Sequence, residues 1–297
     1  MLIYLWLVIA GLCFGSFTNA FVWRLHEQEE QNSRKSKVGK SKVGKSKASK
    51  TTKSASGSSK DLSILKGRSM CTHCGHQLAA LDLVPVFSWV FLRGKCRYCH
   101  QKIDDWPIVE LLMPILFAFS YAMWPLAMYG WGAVEFWVWL VFLVGFMILA
   151  VYDLRWYILP DRVVYPLMGL AAINVLVHVL FFHGGTSALL GACWGVLISS
   201  GIFYVLFQLS QGKWIGGGDV KLGVVIGLLI GGPLNSFLLL FIASTLGSIV
   251  SIPLLIVGKA KRTTLIPFGP FLLLATFIIV IYGTAITDWL YRVLLLK

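Results

Sequence analysis

Charged residues are scarce in this sequence. Asp, Glu, Lys and Arg make up only 13% of its 297 residues, about half the share in soluble globular proteins. Hydrophobic residues make up 57%, and they form blocks long enough to cross a bilayer, which takes about 20 residues as helix. The composition therefore excludes an ordinary soluble domain and predicts an all-α polytopic membrane protein.

Acidic residues are the scarcer charged type, at 13 against 26 Lys and Arg. Ten of the basic residues lie between Arg34 and Lys60, where there is no acid at all. A net charge of +13 would suggest nucleic acid as the partner of a soluble protein. Lys/Ser/Gly repeats of this kind, however, bury too little apolar surface to fold. We therefore expect a basic, largely disordered insertion at residues 24–68 and no nucleic-acid partner.

The N-terminus has no basic residue before Arg24, so the charged start of a secretory signal peptide is missing. Residues 1–23 are predicted to be the first transmembrane helix. Its Gly11 and Gly15 have the spacing of a close helix–helix contact, and a role near the active site is the alternative.

Only six cysteines occur, and four of them form two CxxC pairs 21 residues apart. Paired CxxC motifs in a reducing compartment indicate zinc rather than disulfides. Two such turns offer four thiolates at the corners of a tetrahedron, a closed set that leaves no position for substrate. Residues 69–105 are therefore predicted to form a small cytosolic zinc-ribbon module with structural zinc bound by Cys71, Cys74, Cys96 and Cys99.

After this module the apolar blocks resume, and residues 106–297 are predicted to form a membrane core of seven helices. With the first helix this gives about eight spans. The seven expected spans are 106–125, 131–151, 162–182, 187–209, 219–230, 234–257 and 267–290.

The basic residues also predict the orientation. If the N-terminus lies outside, eight spans place 24 of the 26 Lys and Arg in four cytosolic loops, as the positive-inside rule requires. Asp153 and Asp219 then both lie at the cytosolic face.

Acids within membrane segments are costly and are functional candidates by default. Asp153 ends a predicted helix, where its charge opposes the helix dipole. Asp219 follows three glycines, more than a helix cap requires, which suggests that another backbone comes close. Asp161 is placed as a helix N-cap, for which a structural role is favoured.

Two neighbouring carboxyl groups share a proton, so one can activate water while the other donates to the scissile carbonyl. No Ser-His-Asp set or HExxH motif competes for the chemistry in this sequence. The residues alone therefore favour peptide hydrolysis by Asp153 and Asp219.

The motifs together resemble the type IV prepilin leader peptidase/N-methyltransferase family. The two aspartate motifs, Tyr152-Asp153 and the three glycines with Asp219, also resemble those of the wider group of intramembrane aspartyl proteases that includes presenilin. The matching features are a GxxxGSFxN…RL signature, two cysteine knuckles, a YPxVE element with Trp for Tyr, D-x6-P-D, G-x-GD-x-KL and PFGP. In chain order they occupy residues 11–25, 68–76, 92–99, 106–110, 153–161, 216–222 and 267–270.

The resemblance implies a bacterial inner-membrane enzyme that cleaves the basic leader of prepilins and pseudopilins, and Asp153 and Asp219 would be its catalytic pair. It also implies methylation of the new N-terminal amine with S-adenosylmethionine. Gly94 and Glu110, near the knuckles, are the candidates for binding that cofactor. The Lys/Ser/Gly insertion departs from the family pattern.

Three alternatives remain open from the sequence. One is a peptidase without methyl transfer, and another is a non-catalytic membrane scaffold whose acids cap helices. The third, a transporter, fits poorly because acids at one face differ from the midplane sites of transporters.

Overall fold

The computed structural model describes residues 1–41, 69–71, 73–102, 107–181, 185–258 and 266–294. The side chains of residues 34–41 and of Ala80 are not described. Most of the predicted insertion at residues 24–68 therefore lies outside the described residues, although its beginning is helical because the first helix continues to Ser41.

Within the described residues the chain is almost entirely helical, with two isolated β-bridges and one short 3₁₀ turn. The predicted all-α class is confirmed. The helices are α1 (Leu2–Ser41), α2 (Phe87–Phe91), α3 (Ile108–Ala122), α4 (Trp131–Trp156), α5 (Asp161–Phe181), α6 (Gly185–Ser199), α7 (Gly201–Ser210), α8 (Gly217–Ile230), α9 (Pro233–Ile256) and α10 (Gly269–Leu294).

Six helical segments in the described part of the chain are long and apolar enough to cross a membrane. One of them joins α6 and α7, because backbone hydrogen bonds continue across the irregularity at Ser200. The other two predicted spans correspond to α3, with 15 residues, and α8, with 14. The prediction of about eight apolar helices is thus consistent with the structure, and two of the eight are short.

The chain divides into two compact units, Met1–Ala118 and Phe119–Lys297. In the first unit, α1 packs closely against the start of α3. A Cβ on Gly15 would lie 2.6 Å from Cα of Glu110, and a Cβ on Gly11 would collide with Pro114. The structure therefore confirms that these two glycines form a close helix–helix contact.

In the second unit, α8 is held by α6 through backbone contact. Gly195 and Gly227 touch backbone to backbone, so neither position has room for a side chain. The hydroxyl of Ser199 donates to the carbonyl of Gly223 at 2.8 Å, and Ser200 donates to the carbonyl of Val220 at 2.9 Å. These contacts fix the start of α8, which carries Asp219.

Candidate active site and cysteine cluster

Asp153 lies in the last turn of the membrane helix α4 and is only 6% exposed. The helix ends three residues later, where Tyr157 adopts a left-handed conformation and its N–H donates to the carbonyl of Asp153. The backbone N–H of Gly269 faces the carboxyl group. Oδ2 nevertheless makes no hydrogen bond of ordinary length with any residue that the structure describes. The carboxyl group is thus buried beside the N–H of Gly269, and Oδ2 exposes almost no surface.

Asp219 lies in the first turn of α8, which begins at Gly217 with Gly216 as its N-cap. Asp219 is therefore inside the helix rather than its cap. The N–H of Gly216 interacts with its carboxylate, and the charge of Asp153 acts on it directly. The structure thus brings the two acids, 66 positions apart in the sequence, close enough for the charge of one to act on the other.

Leu159 explains how the two acids meet. A Cβ on Gly218 would come within 2.9 Å of Cβ of Leu159, and a Cβ on Gly269 would lie 3.7 Å from its Cδ2 and 2.6 Å from Oδ2 of Asp153. The segment after α4 therefore packs against the starts of α8 and α10 at glycines. Of the three glycines before Asp219, Gly218 permits this approach, and the atoms that come close belong to the Leu159 side chain rather than to another backbone, which the sequence had suggested.

Asp161 begins α5, and its carboxylate is engaged by a lysine. Nζ of Lys221, two residues after Asp219, lies 2.6 Å from Oδ1 of Asp161. The same ammonium lies 5.2 Å from the ring centroid of Tyr165. The pair connects the starts of α5 and α8, a tertiary contact for which the sequence carries no local signal.

The four predicted cysteines come together in the first unit. Their Sγ atoms all lie within 4.8 Å of one another, and those of Cys71 and Cys99 are 3.8 Å apart. Each CxxC turn repeats one hairpin, in which the N–H groups of Cys71 and Cys96 donate to residues five positions on. The residue after each pair, Gly75 or His100, has a positive φ. This cluster could hold a metal ion.

The thiols of the cluster ionise unequally. Burial opposes the thiolate of Cys71, but the N–H groups of Cys74 and His73 and the neighbouring thiols outweigh it and lower its pKa to about 6. A backbone hydrogen bond at Gln101 favours the thiolate of Cys99, but burial and the other three thiols outweigh it and raise its pKa to about 11. Four thiolates in one place therefore need a cation to balance them.

Gly94 and Glu110 both contact one short segment, residues 86–91, that contains α2. Oε2 of Glu110 accepts the N–H of Val86 at 2.6 Å. Gly94, with φ +67°, packs on the indole of Trp89, where a Cβ would lie 3.1 Å from the ring. The two residues therefore lie at the same segment of the first unit, each against a different residue of it.

Comparison with known proteins decides the family. The Bacterial Peptidase A24 N-terminal domain matches residues 9–124, and the Type IV leader peptidase family matches residues 140–252. A relative from Aeromonas hydrophila is 32% identical over 231 residues, which cover 76% of each chain. The chain belongs to the type IV leader peptidase family.

Other members of the leader peptidase family align over nearly the whole chain. A relative from Stutzerimonas stutzeri is 30% identical over 284 residues, covering 94% of this chain and 91% of its own. One from Pseudomonas aeruginosa is 30% identical over the same length, covering 94% and 90%. All three relatives carry the name prepilin leader peptidase/N-methyltransferase. No solved structure matches this leader peptidase chain.

Proposed function

We propose that this membrane protein cleaves the short basic leader of type IV prepilins and pseudopilins and then methylates the new N-terminal amine. The observation that supports the peptidase part is that Asp153 and Asp219 lie near each other, with Leu159 packed close to both. Membership of the leader peptidase family and the names of the aligned relatives support both activities.

The two carboxyl groups suit hydrolysis of a peptide bond. One, ionised, takes a proton from water while the oxygen attacks the scissile carbonyl; the other, protonated, donates to the carbonyl oxygen. The C–N bond then breaks as the leaving amine takes a proton from the pair. The unpartnered Oδ2 of Asp153 is a suitable acceptor for the attacking water.

The proposed setting is the bacterial inner membrane, with the N-terminus outside and the acids at the cytosolic face. The distribution of basic residues supports this orientation. A prepilin's apolar helix would then lie in the bilayer and its leader in the cytosol, so that the scissile bond reaches Asp153 and Asp219.

The cysteine cluster is proposed to hold structural zinc. A tetrahedral site with Zn–S bonds of about 2.3 Å has sulfur atoms about 3.8 Å apart, and Cys71 and Cys99 have that separation. Zinc would fix the two turns of the module and would leave no open coordination position for chemistry.

S-adenosylmethionine would supply the methyl group, and Gly94 and Glu110, together with the α2 segment that both contact, are proposed to contribute to its site. A carboxylate and an indole ring are groups that can contact the ribose hydroxyls and the adenine of a nucleoside. Glu110 contacts the α2 segment at Val86, and Gly94 contacts it at Trp89. Gly94→Ala would strain the positive φ and displace Trp89, so we expect methylation to fall more than cleavage.

Purified protein incubated with a prepilin and labelled S-adenosylmethionine tests the whole proposal by mass spectrometry of the product. We expect loss of the leader and gain of one methyl group, and neither product with Asp219→Asn. Asp288→Asn, an acid at the far end of α10, is the matched control and should behave like the wild type. Cleavage without methylation would reduce the proposal to a peptidase, and no cleavage would favour the scaffold.

A further inference from the structure

A cavity of about 400 Å³ lies within the second unit, at the opposite end of α4 from Asp153. Glu135, on its wall, precedes Asp153 by 18 residues in the same helix, a distance of about 27 Å along the axis. The cavity is therefore separate from the candidate peptidase site. Its polar lining consists of Glu135, Asn174, His178, Asn235 and Thr284.

The charge in this cavity is unusual for a membrane protein. Oε1 of Glu135 lies 2.7 Å from Nε2 of His178, and the two side chains are 19% and 33% exposed. Neither Lys nor Arg occurs among the described residues that line the cavity. Since acids in membrane segments are costly and rarely without a role, Glu135 makes this end of the helix bundle a candidate binding site.

Asn235 supplies a second acceptor. Its Oδ1 is buried and has no hydrogen-bond partner among the residues that the structure describes. The atom lies 3.9 Å from where a Cβ would stand if Gly283, which also lines the cavity, carried a side chain. A buried carbonyl oxygen without a partner costs free energy unless a ligand or water donates to it.

We propose that this cavity binds the primary ammonium group of an aminophospholipid. Glu135 and Asn235 present acceptors that an –NH₃⁺ group can satisfy, because it carries three N–H donors. The indole rings of Trp124 and Trp139 also line the cavity, and aromatic rings favour a nearby cation.

The surroundings favour a lipid over a soluble amine. Apolar side chains, including Val138, Val175 and Ile279, form much of the remaining wall. Leu126 also lines the cavity and is 46% exposed, so the cavity reaches the protein surface. The described lining offers a phosphate no lysine or arginine, whereas it offers an ammonium the carboxylate of Glu135, so the ammonium is the group that we expect to enter.

The head group can be tested by lipid titration of the purified full chain in detergent. Phosphatidylethanolamine is compared with phosphatidylcholine of the same acyl chains, whose methylated nitrogen has no N–H to donate. Native mass spectrometry counts bound lipid, and thermal unfolding reports stabilisation. We expect phosphatidylethanolamine to bind about tenfold more tightly and to raise the unfolding temperature more.

Two variants locate the binding. Glu135→Gln removes the negative charge with little change in shape, and Asn235→Leu replaces the unpartnered carbonyl by an apolar group. Each should abolish the preference for phosphatidylethanolamine, while Thr245→Val, on α9 outside the cavity, should keep it. Prepilin cleavage by all three variants should match the wild type, which shows that they fold.

Three results would overturn the proposal. Equal binding of the two lipids would exclude recognition of N–H donors. If Asn235→Leu keeps the preference for phosphatidylethanolamine and unfolds at a higher temperature than the wild type in both lipids, then Asn235 does not bind the ammonium group. Tight binding of free ethanolamine without any preference between the lipids would exclude a phospholipid as the occupant.

Discussion

Asp153 keeps its buried position because the residue opposite it, Gly269, has no side chain. The acid itself was predictable, since a carboxylate at the end of an apolar helix is costly. Gly269, in contrast, was noticed in the sequence only as part of the PFGP element. Nothing in residues 267–270 themselves indicates that they contact α4. Single residues with a physical cost are visible in a sequence, whereas the residues that accommodate them are visible only in the fold.

Gly269→Ala is expected to lower the rate of prepilin cleavage by about 100-fold, since a small displacement of a catalytic group can cost that much. The added Cβ would lie 2.6 Å from Oδ2 of Asp153 and would push the carboxyl group aside. Steady-state cleavage assays measure the loss. Gly169→Ala, where a Cβ meets nothing within 4 Å, is the control, and equal rates for the two variants would contradict the account.

At the level of the helices, the apolar runs in the sequence determine where most spans begin and end. The spans predicted at 131–151 and 234–257 correspond to α4 and α9, with shifts of one residue at each end of α9 and of five residues at the end of α4. The span predicted at 187–209 corresponds to α6 and α7 together, with an irregularity at Ser200, whose hydroxyl donates to the carbonyl of Val220. Contacts between helices of this kind depend on the fold and have no signature in one helix.

The ion pair between Asp161 and Lys221 is expected to make a modest contribution to the relative placement of α5 and α8. The side chains are 54% and 37% exposed, and exposed pairs contribute at most about 1 kcal/mol. Lys221→Met should therefore slow cleavage by no more than about fivefold.

Exchanging the charges of Asp161 and Lys221 distinguishes the effect of their ion pair on cleavage from the effect of either side chain alone. Asp161→Lys places two cations together and should slow cleavage further than Lys221→Met does. Combining Asp161→Lys with Lys221→Asp should restore most of the rate, as measured in the same assay. No recovery in the double variant would show that the ion pair does not act through its charges.

For the whole molecule, the cysteine cluster and the two acids belong to different compact units. Spacing predicted the cluster well because CxxC turns are local and carry their own geometry. The extension of α1 to Ser41 was not predicted, since the residues from Arg24 onward lack the apolar pattern of a membrane helix.

Removal of the metal should affect methylation more than cleavage. Cys99→Ser is expected to lose most of the one zinc ion per chain, measured by elemental analysis, because three thiolates bind it less well. Cleavage should persist, since Asp153 and Asp219 lie in the second unit. Cys193→Ser, exposed and outside the cluster, should keep both zinc and methylation. A loss of cleavage as complete as in Asp219→Asn would contradict this division of roles.

The most direct test of the acid pair compares single-turnover cleavage by Asp153→Asn, Asp219→Asn and the double variant. If the two carboxyl groups act as one unit, each single substitution lowers the rate by about 10⁴-fold or more, and the double variant is no slower than the singles. Retention of a tenth of the wild-type rate by either single variant would show that this protein does not hydrolyse its substrate with these two acids.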